Sequence, residues 1–190
     1  MKPKMLQLIK EHGKYAEITG YRGISFGKTE AFLKTSRKKN QNFDIQFFDA
    51  DLTATQEHLY FAVLNALQAF ANKTNLSKSP AMETMLYASA QRQIQKAIER
   101  SGIKPESRNM SVVIIGDDPK QIEKALETVS ESVGSKPDGT VLELTKPKCA
   151  KIMKAFEISG EEMKTVDGGD EKKAITDLVI ERMALLATQQ

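Results

Sequence analysis

Residues Ser79–Gly102 read SPAMETMLYASAQRQIQKAIERSG. Ser79 suits a helix N-cap, and Pro80 suits the first helical position, where its missing N–H costs nothing. Gly102 stands where a left-handed residue would close a helix. Between them Met82, Met85, Leu86, Ala90, Ala97 and Ile98 recur at helical spacing. That spacing predicts one continuous helix with these residues turned to a core. Arg92, Lys96 and Arg100 follow at i, i+4 and i+8, so three cations share one stripe of the other side. Ser89 and Gln93 lie on neighbouring turns, with Tyr87 close in sequence. Such a stripe suits a phosphate backbone, with a hydroxyl and an amide ready for hydrogen bonds. The competing reading is a plain solvated helix face, with Glu99 partly neutralising Lys96.

Outward from this helix the chain alternates strands and helices. Tyr15–Ile24 and Phe43–Phe48 have strand character, joined by the polar segment 34–42, which has the composition of a disordered connection. Residues 1–14 read as an extension. Thr53 followed by Gln56 looks like a capping box opening a helix to about Ala71, with Leu59, Val63, Leu64, Leu67 and Phe70 as its core face. Met110–Ile115 predicts a buried strand. Asp118–Pro119 starts a helix that Gly134 ends. A short strand is expected at Val141–Leu144, a short helix at Lys148–Phe156 and a last helix at Glu171–Ala187. The expected fold class is α/β: a single domain over 1–190, with a small mixed sheet packed with several helices.

Composition sets limits on function. A chain of 190 residues can bury a substantial core. No apolar run reaches the length of a membrane span, and the first residues lack a signal-peptide hydrophobic stretch; with a lone cysteine, a reducing cytoplasm is the expected location. Cys149 is the only cysteine, which excludes an internal disulfide. His12 and His58 have no second histidine or cysteine at ligand spacing, so no zinc site is supported; no other metal and no cofactor is expected. Net charge is only +3, but residues 1–100 carry 15 Lys/Arg against 9 Asp/Glu, and residues 101–190 carry 13 against 16. The basic half, which includes Lys34, Arg37, Lys38 and Lys39, suits an anionic partner.

Three segments imitate catalytic motifs. Gly23–Thr29 has three residues between its glycines where a P-loop needs four, and it reads as a turn. Asp49-Ala50-Asp51-Leu52-Thr53 after a hydrophobic strand imitates the DxDxT of haloacid-dehalogenase-like phosphatases. Ile114–Asp118 resembles their late metal-binding motif. Residues 54–109, however, read as two helices with no strand to supply the intervening Ser/Thr and Lys. Asp49 and Asp51 therefore carry the alternative function, a phosphatase, and no catalytic residue is assigned.

In the last helix Ile175, Leu178, Val179, Met183, Leu185 and Leu186 span much of one side, and Ile180 and Ala187 widen the arc. The arc is about twice the ~100° stripe that one core needs. Such a helix is either central in its own domain or shared with a partner.

The combination FDADLTATQEHLYFAVLNAL, NLSKSPAMETMLYASAQRQIQKAIERSGI and ITDLVIERMALL resembles the small kinase-binding subunit of the KEOPS tRNA-modifying complex, the PRPK-binding protein family. The likeness runs from about Phe47 to Leu186. Its signature appears as Ala88–Ser89–Ala90, Arg92–Gln93–Ile94 and Ala97–Ile98, with Ala90 standing where the family often has glycine. The resemblance implies a non-catalytic accessory subunit of the assembly that makes threonylcarbamoyl-adenosine in tRNA. It would bind and stimulate a small atypical kinase/ATPase and help hold tRNA at its 3′ acceptor end. Ser89, Arg92, Gln93, Lys96 and Arg100 would then face tRNA, with Tyr87 a candidate to stack on a base. Ile175, Leu178, Val179, Met183 and Leu186 would face the kinase.

Overall fold

The computed structural model describes residues 6–38, 42–166 and 168–188. Its strands are β1 (Leu6–Ile9), β2 (Lys14–Arg22), β3 (Phe43–Asp49) and β4 (Asn109–Gly116). Its helices are α1 (Phe26–Lys38), α2 (Gln56–Asn72), α3 (Pro80–Ala88), α4 (Ile94–Ser101), α5 (Pro119–Val133), α6 (Lys146–Ala155), α7 (Gly160–Val166) and α8 (Glu171–Thr188). Together they form the single α/β domain expected.

The sheet order is β1-β2-β4-β3 and every neighbouring pair is antiparallel, which corrects the expected mixed sheet. β2, α1 and β3 follow one another like a parallel βαβ unit, but β4 inserts between the two strands and pairs antiparallel with both. Both faces of β4 are covered, which explains its near-continuous apolar run. Met110, Val112 and Ile114 pack with Leu33 of α1 and with Ile122, Ala125 and Val129 of α5. Val113 and Ile115 pack on the other face with Leu59, Val63 and Leu67 of α2 and Met85 and Leu86 of α3. A third cluster joins Cys149, Ile152 and Phe156 to Ile175, Leu178 and Val179 of α8.

Local signals explain most helix ends. Asp118 accepts a hydrogen bond from the Lys120 N–H, and Gly134 closes α5 in the left-handed conformation. Thr55, not Thr53, caps α2 by accepting from the His58 N–H at 3.3 Å. Thr53 is buried, its hydroxyl 2.8 Å from that of Ser111 on β4. Residues 6–14 form β1, a 3-10 turn and the start of β2 rather than an extension; residues 1–5 lie outside the described residues. Within 34–42, residues 34–38 complete α1, and 39–41 lie outside the described residues. The helix α1 also takes in Gly27–Thr29, read above as part of a turn. The strand expected at Val141–Leu144 is a 3-10 turn over Gly139–Leu142, capped by Asp138. It seats on Gly20 of β2, where an added Cβ would fall 1.9 Å from Val141 Cγ2.

The continuous helix expected over Ser79–Gly102 is two helices. Ser79 does cap α3, accepting from the Met82 N–H at 3.3 Å. The chain then turns at Ala90, whose φ is +50°. Ala90 N–H donates to the Tyr87 carbonyl at 2.8 Å and Gln91 N–H to the Leu86 carbonyl at 3.0 Å, the paired bonds of a Schellman motif. Left-handed backbone presses Cβ against the next carbonyl, at a cost of roughly 1–2 kcal/mol. Glycine escapes that contact but loses more chain entropy on folding. Ala90→Gly should therefore raise stability by about 1 kcal/mol, read as a higher denaturant midpoint at unchanged slope. A lower midpoint would mean that the Ala90 methyl contributes more through packing than the turn costs.

Candidate functional site

The split helix redistributes the residues of the expected cation stripe. Arg92 and Gln93 are exposed in the link between α3 and α4, with Gln93 at the N-cap of α4. Ser89 is fully buried and its hydroxyl donates to the Leu86 carbonyl at 3.1 Å, so it offers no group to a ligand. Tyr87 is also buried, which corrects its reading as a stacking platform. Ile98, expected in the core, is exposed with Ile94 on the outside of α4. Only Lys96 and Arg100 of the five residues line a common hollow.

That hollow is an open groove of about 790 Å³. One wall is α4 with Lys96 and Arg100, continued by Lys104 and Arg108 on the way to β4. The other is α6 with Lys151 and Lys154, and Asp49 and Asp51 border the groove at the end of β3. Six cations thus meet four carboxylates, Asp49, Asp51, Glu99 and Glu106. Two of the carboxylates are engaged in the fold. Asp49 accepts from the Asp51 N–H at 2.9 Å and from the Ser107 hydroxyl at 2.6 Å. Asp51 pairs with Lys151. Among the described residues no ion pair holds Lys96, Lys104, Arg108 or Lys154. Unpaired cations of this density favour a polyanion.

Arg100 is the most constrained of the six. Its guanidinium donates to the Ser89 carbonyl at 3.0 Å and lies over the Phe156 ring, 5.6 Å from the centroid. Behind it His58 is buried, with Nδ1 accepting from the Ala54 N–H at 3.1 Å and Nε2 2.8 Å from the Ala88 carbonyl. This arrangement requires a neutral ring with its proton on Nε2. Burial pushes the His58 pKa down to about 4 from an ordinary 6.5. The unfolded chain takes up this proton below pH 6.5, and the folded chain resists it until about 4. Stability carried by neutral His58 is complete above pH 6.5 and falls with acid, by about 3 kcal/mol across that window. In His58→Gln the dependence of unfolding free energy on pH between 6.5 and 4 should lose close to one proton of slope. An unchanged slope would refute the assignment.

Behind the groove Lys148 is buried, and Nζ donates to the Val141 carbonyl at 2.9 Å. Burial draws its pKa down to about 8. It ties α6 to the 3-10 turn on β2.

The phosphatase imitation does not assemble. In the β3–β4 register Asp49 pairs with Met110, while Phe43 pairs with Gly116. The Asp49–Asp51 motif and the Gly116–Asp118 motif therefore sit at opposite ends of the sheet, about 20 Å apart. Asp117 pairs with Lys14 at 2.6 Å, and Asp118 caps α5.

The five residues expected to meet a kinase are inside this chain. Ile175, Leu178 and Val179 belong to the third cluster, and Met183 and Leu186 to the first. The apolar arc of α8 is wide because the helix bridges two cores. Its outward residues include Leu185, half exposed, beside a smaller hollow of about 370 Å³ lined also by Arg100, Phe156 and Arg182. The groove cations outside α4 escaped sequence reading, because Lys104, Arg108, Lys151 and Lys154 converge only through tertiary structure.

Comparison with known proteins assigns the class. The family model described as kinase binding protein CGI-121 matches residues 25–187. The regulatory protein Cgi121 of Methanocaldococcus jannaschii is 32% identical over 132 residues, covering 67% of this chain and 83% of that protein. The α/β domain thus falls among regulatory, kinase-binding proteins. The chain belongs to the CGI-121 family.

Proposed function

We propose that this protein is the non-catalytic accessory subunit of a KEOPS-type assembly that installs threonylcarbamoyl-adenosine in tRNA. It binds and stimulates the small atypical kinase/ATPase subunit and helps hold tRNA at the 3′ acceptor end, in the cytoplasm. Family membership supports the kinase partner. The observation that carries the nucleic-acid part is the groove between α4 and α6, where four cations have no ion-pair partner among the described residues. Phosphate contacts there would release counterions and give salt-dependent binding. Arg92 and Gln93 lie outside the groove walls and would reach RNA only beyond the link. Contact with the kinase would use outward residues of α8, Leu185 foremost, rather than the five buried ones.

The test is co-purification with the kinase subunit together with binding of two tRNA transcripts, one intact and one lacking its single-stranded 3′ end. The proposal expects kinase capture and a marked preference for the intact transcript. Equal binding of both would reject acceptor-end recognition. Failure to retain the kinase would reject the accessory-subunit reading.

A further inference from the structure

The geometry points to His58 as the positioning residue for Arg100: from the core it fixes both supports on which the guanidinium rests. This inference rests on the reading that the groove holds RNA. An arginine side chain carries about 2 kcal/mol of rotamer entropy, so one that meets a ligand in a fixed pose needs supports of its own. Arg100 has two. Its Nη1–H donates to the Ser89 carbonyl at 3.0 Å, and its guanidinium lies 5.6 Å from the Phe156 centroid, within the range of a cation–π contact.

Both supports lead to the same buried imidazole. His58 Nε2–H donates to the Ala88 carbonyl at 2.8 Å, one residue before Ser89. That bond holds the end of α3 where the chain makes its left-handed turn. The His58 ring also meets Phe156 edge to face, with centroids 5.8 Å apart and planes at 83°. His58 is itself immobile, since Nδ1 accepts from the Ala54 N–H and the residue is 1% exposed. Arg100 borders both the groove and the smaller hollow beside α8, so its pose shapes two surfaces at once. The imidazole therefore acts through Arg100 and touches no ligand.

Two measurements test this. The first is made without RNA: in the nuclear magnetic resonance spectrum the Arg100 guanidinium should show restrained rotation in the wild type. That restraint should be lost in His58→Gln and in Phe156→Leu, which keeps apolar volume without the ring. Unrestrained rotation in the wild type, or restraint persisting in both variants, would overturn the inference. The second is a pair of double-mutant cycles on binding of an intact tRNA transcript, below the melting temperature of every variant. Arg100→Ala should weaken binding about tenfold. His58→Gln and Phe156→Leu should each weaken it severalfold, and neither should weaken it further in the Arg100→Ala background. Additive losses would overturn the positioning role, because a merely structural residue acts independently of Arg100. If Arg100→Ala leaves tRNA binding unchanged, the RNA reading of the groove fails, and the rotation measurement decides the positioning role alone. Should His58→Gln not fold, Phe156→Leu carries both measurements.

Discussion

Met183→Glu should unfold this protein, and Leu185→Glu should leave it folded. The two residues are two positions apart in α8, so about 200° of helix rotation puts them on opposite sides. Met183 is fully buried against the helices that cover the sheet, whereas Leu185 is 50% exposed. A carboxylate at Met183 would have to shed its hydration among the apolar side chains of the first cluster. Unpaired burial of that kind costs several kcal/mol, a large share of a stability that is typically 5–15 kcal/mol. Thermal unfolding and circular dichroism should show a collapsed melting temperature for Met183→Glu and a near wild-type curve for Leu185→Glu. Kinase capture separates the two further. Leu185→Glu should reduce it while the protein stays folded, since a charge at a docking contact must be desolvated. Folded Met183→Glu protein would mean that α8 is not the bridge between cores described here. Full kinase capture by Leu185→Glu would move the docking surface away from this part of α8.

Charge reversals on the two walls of the groove should weaken tRNA binding without affecting folding. Lys96→Glu on α4 and Lys154→Glu on α6 should each cost roughly tenfold in affinity at low salt, and each should reduce the slope of log affinity against log salt by about one. Both residues are exposed, and no ion pair among the described residues holds either, so melting should stay close to wild type. Arg92→Glu, outside the groove, is the comparison. Arg92→Glu as damaging as the wall reversals would move the RNA surface onto the link between α3 and α4. No change in either wall variant would return α4 to a solvated face.

The contrast between these residues shows which signals a sequence carries. β4 and α5 were legible because their determinants are local: an apolar run, an aspartate cap followed by proline, and a closing glycine. The break at Ala90 was not, because alanine is a strong helix former and the turn depends on hydrogen bonds back to Tyr87 and Leu86. The residues flanking the break kept a helical period across it, so periodicity pointed to one helix. Lys96 and Arg100 were found as a stripe, but their companions on α6 lie some fifty residues away in the chain. Periodicity likewise could not tell whether the wide apolar arc of α8 faced a second core or a partner. Both cores lie within this chain for the five residues first assigned to an interface.

The position of β4 in the sheet also dictates how the molecule can be made. Of the strand pairs, only β1–β2 can form before residues 109–116 have been synthesised. β2 and β3 each present a hydrogen-bonding edge whose partner, residues 109–116, is synthesised after α2, α3 and α4. Until then those edges carry unpaired amides beside apolar side chains, the surface that favours misassociation. Closing the sheet joins segments far apart in the chain, which makes this step slow relative to helix formation. α2, α3 and α4 can assemble early, but the sheet waits for its centre.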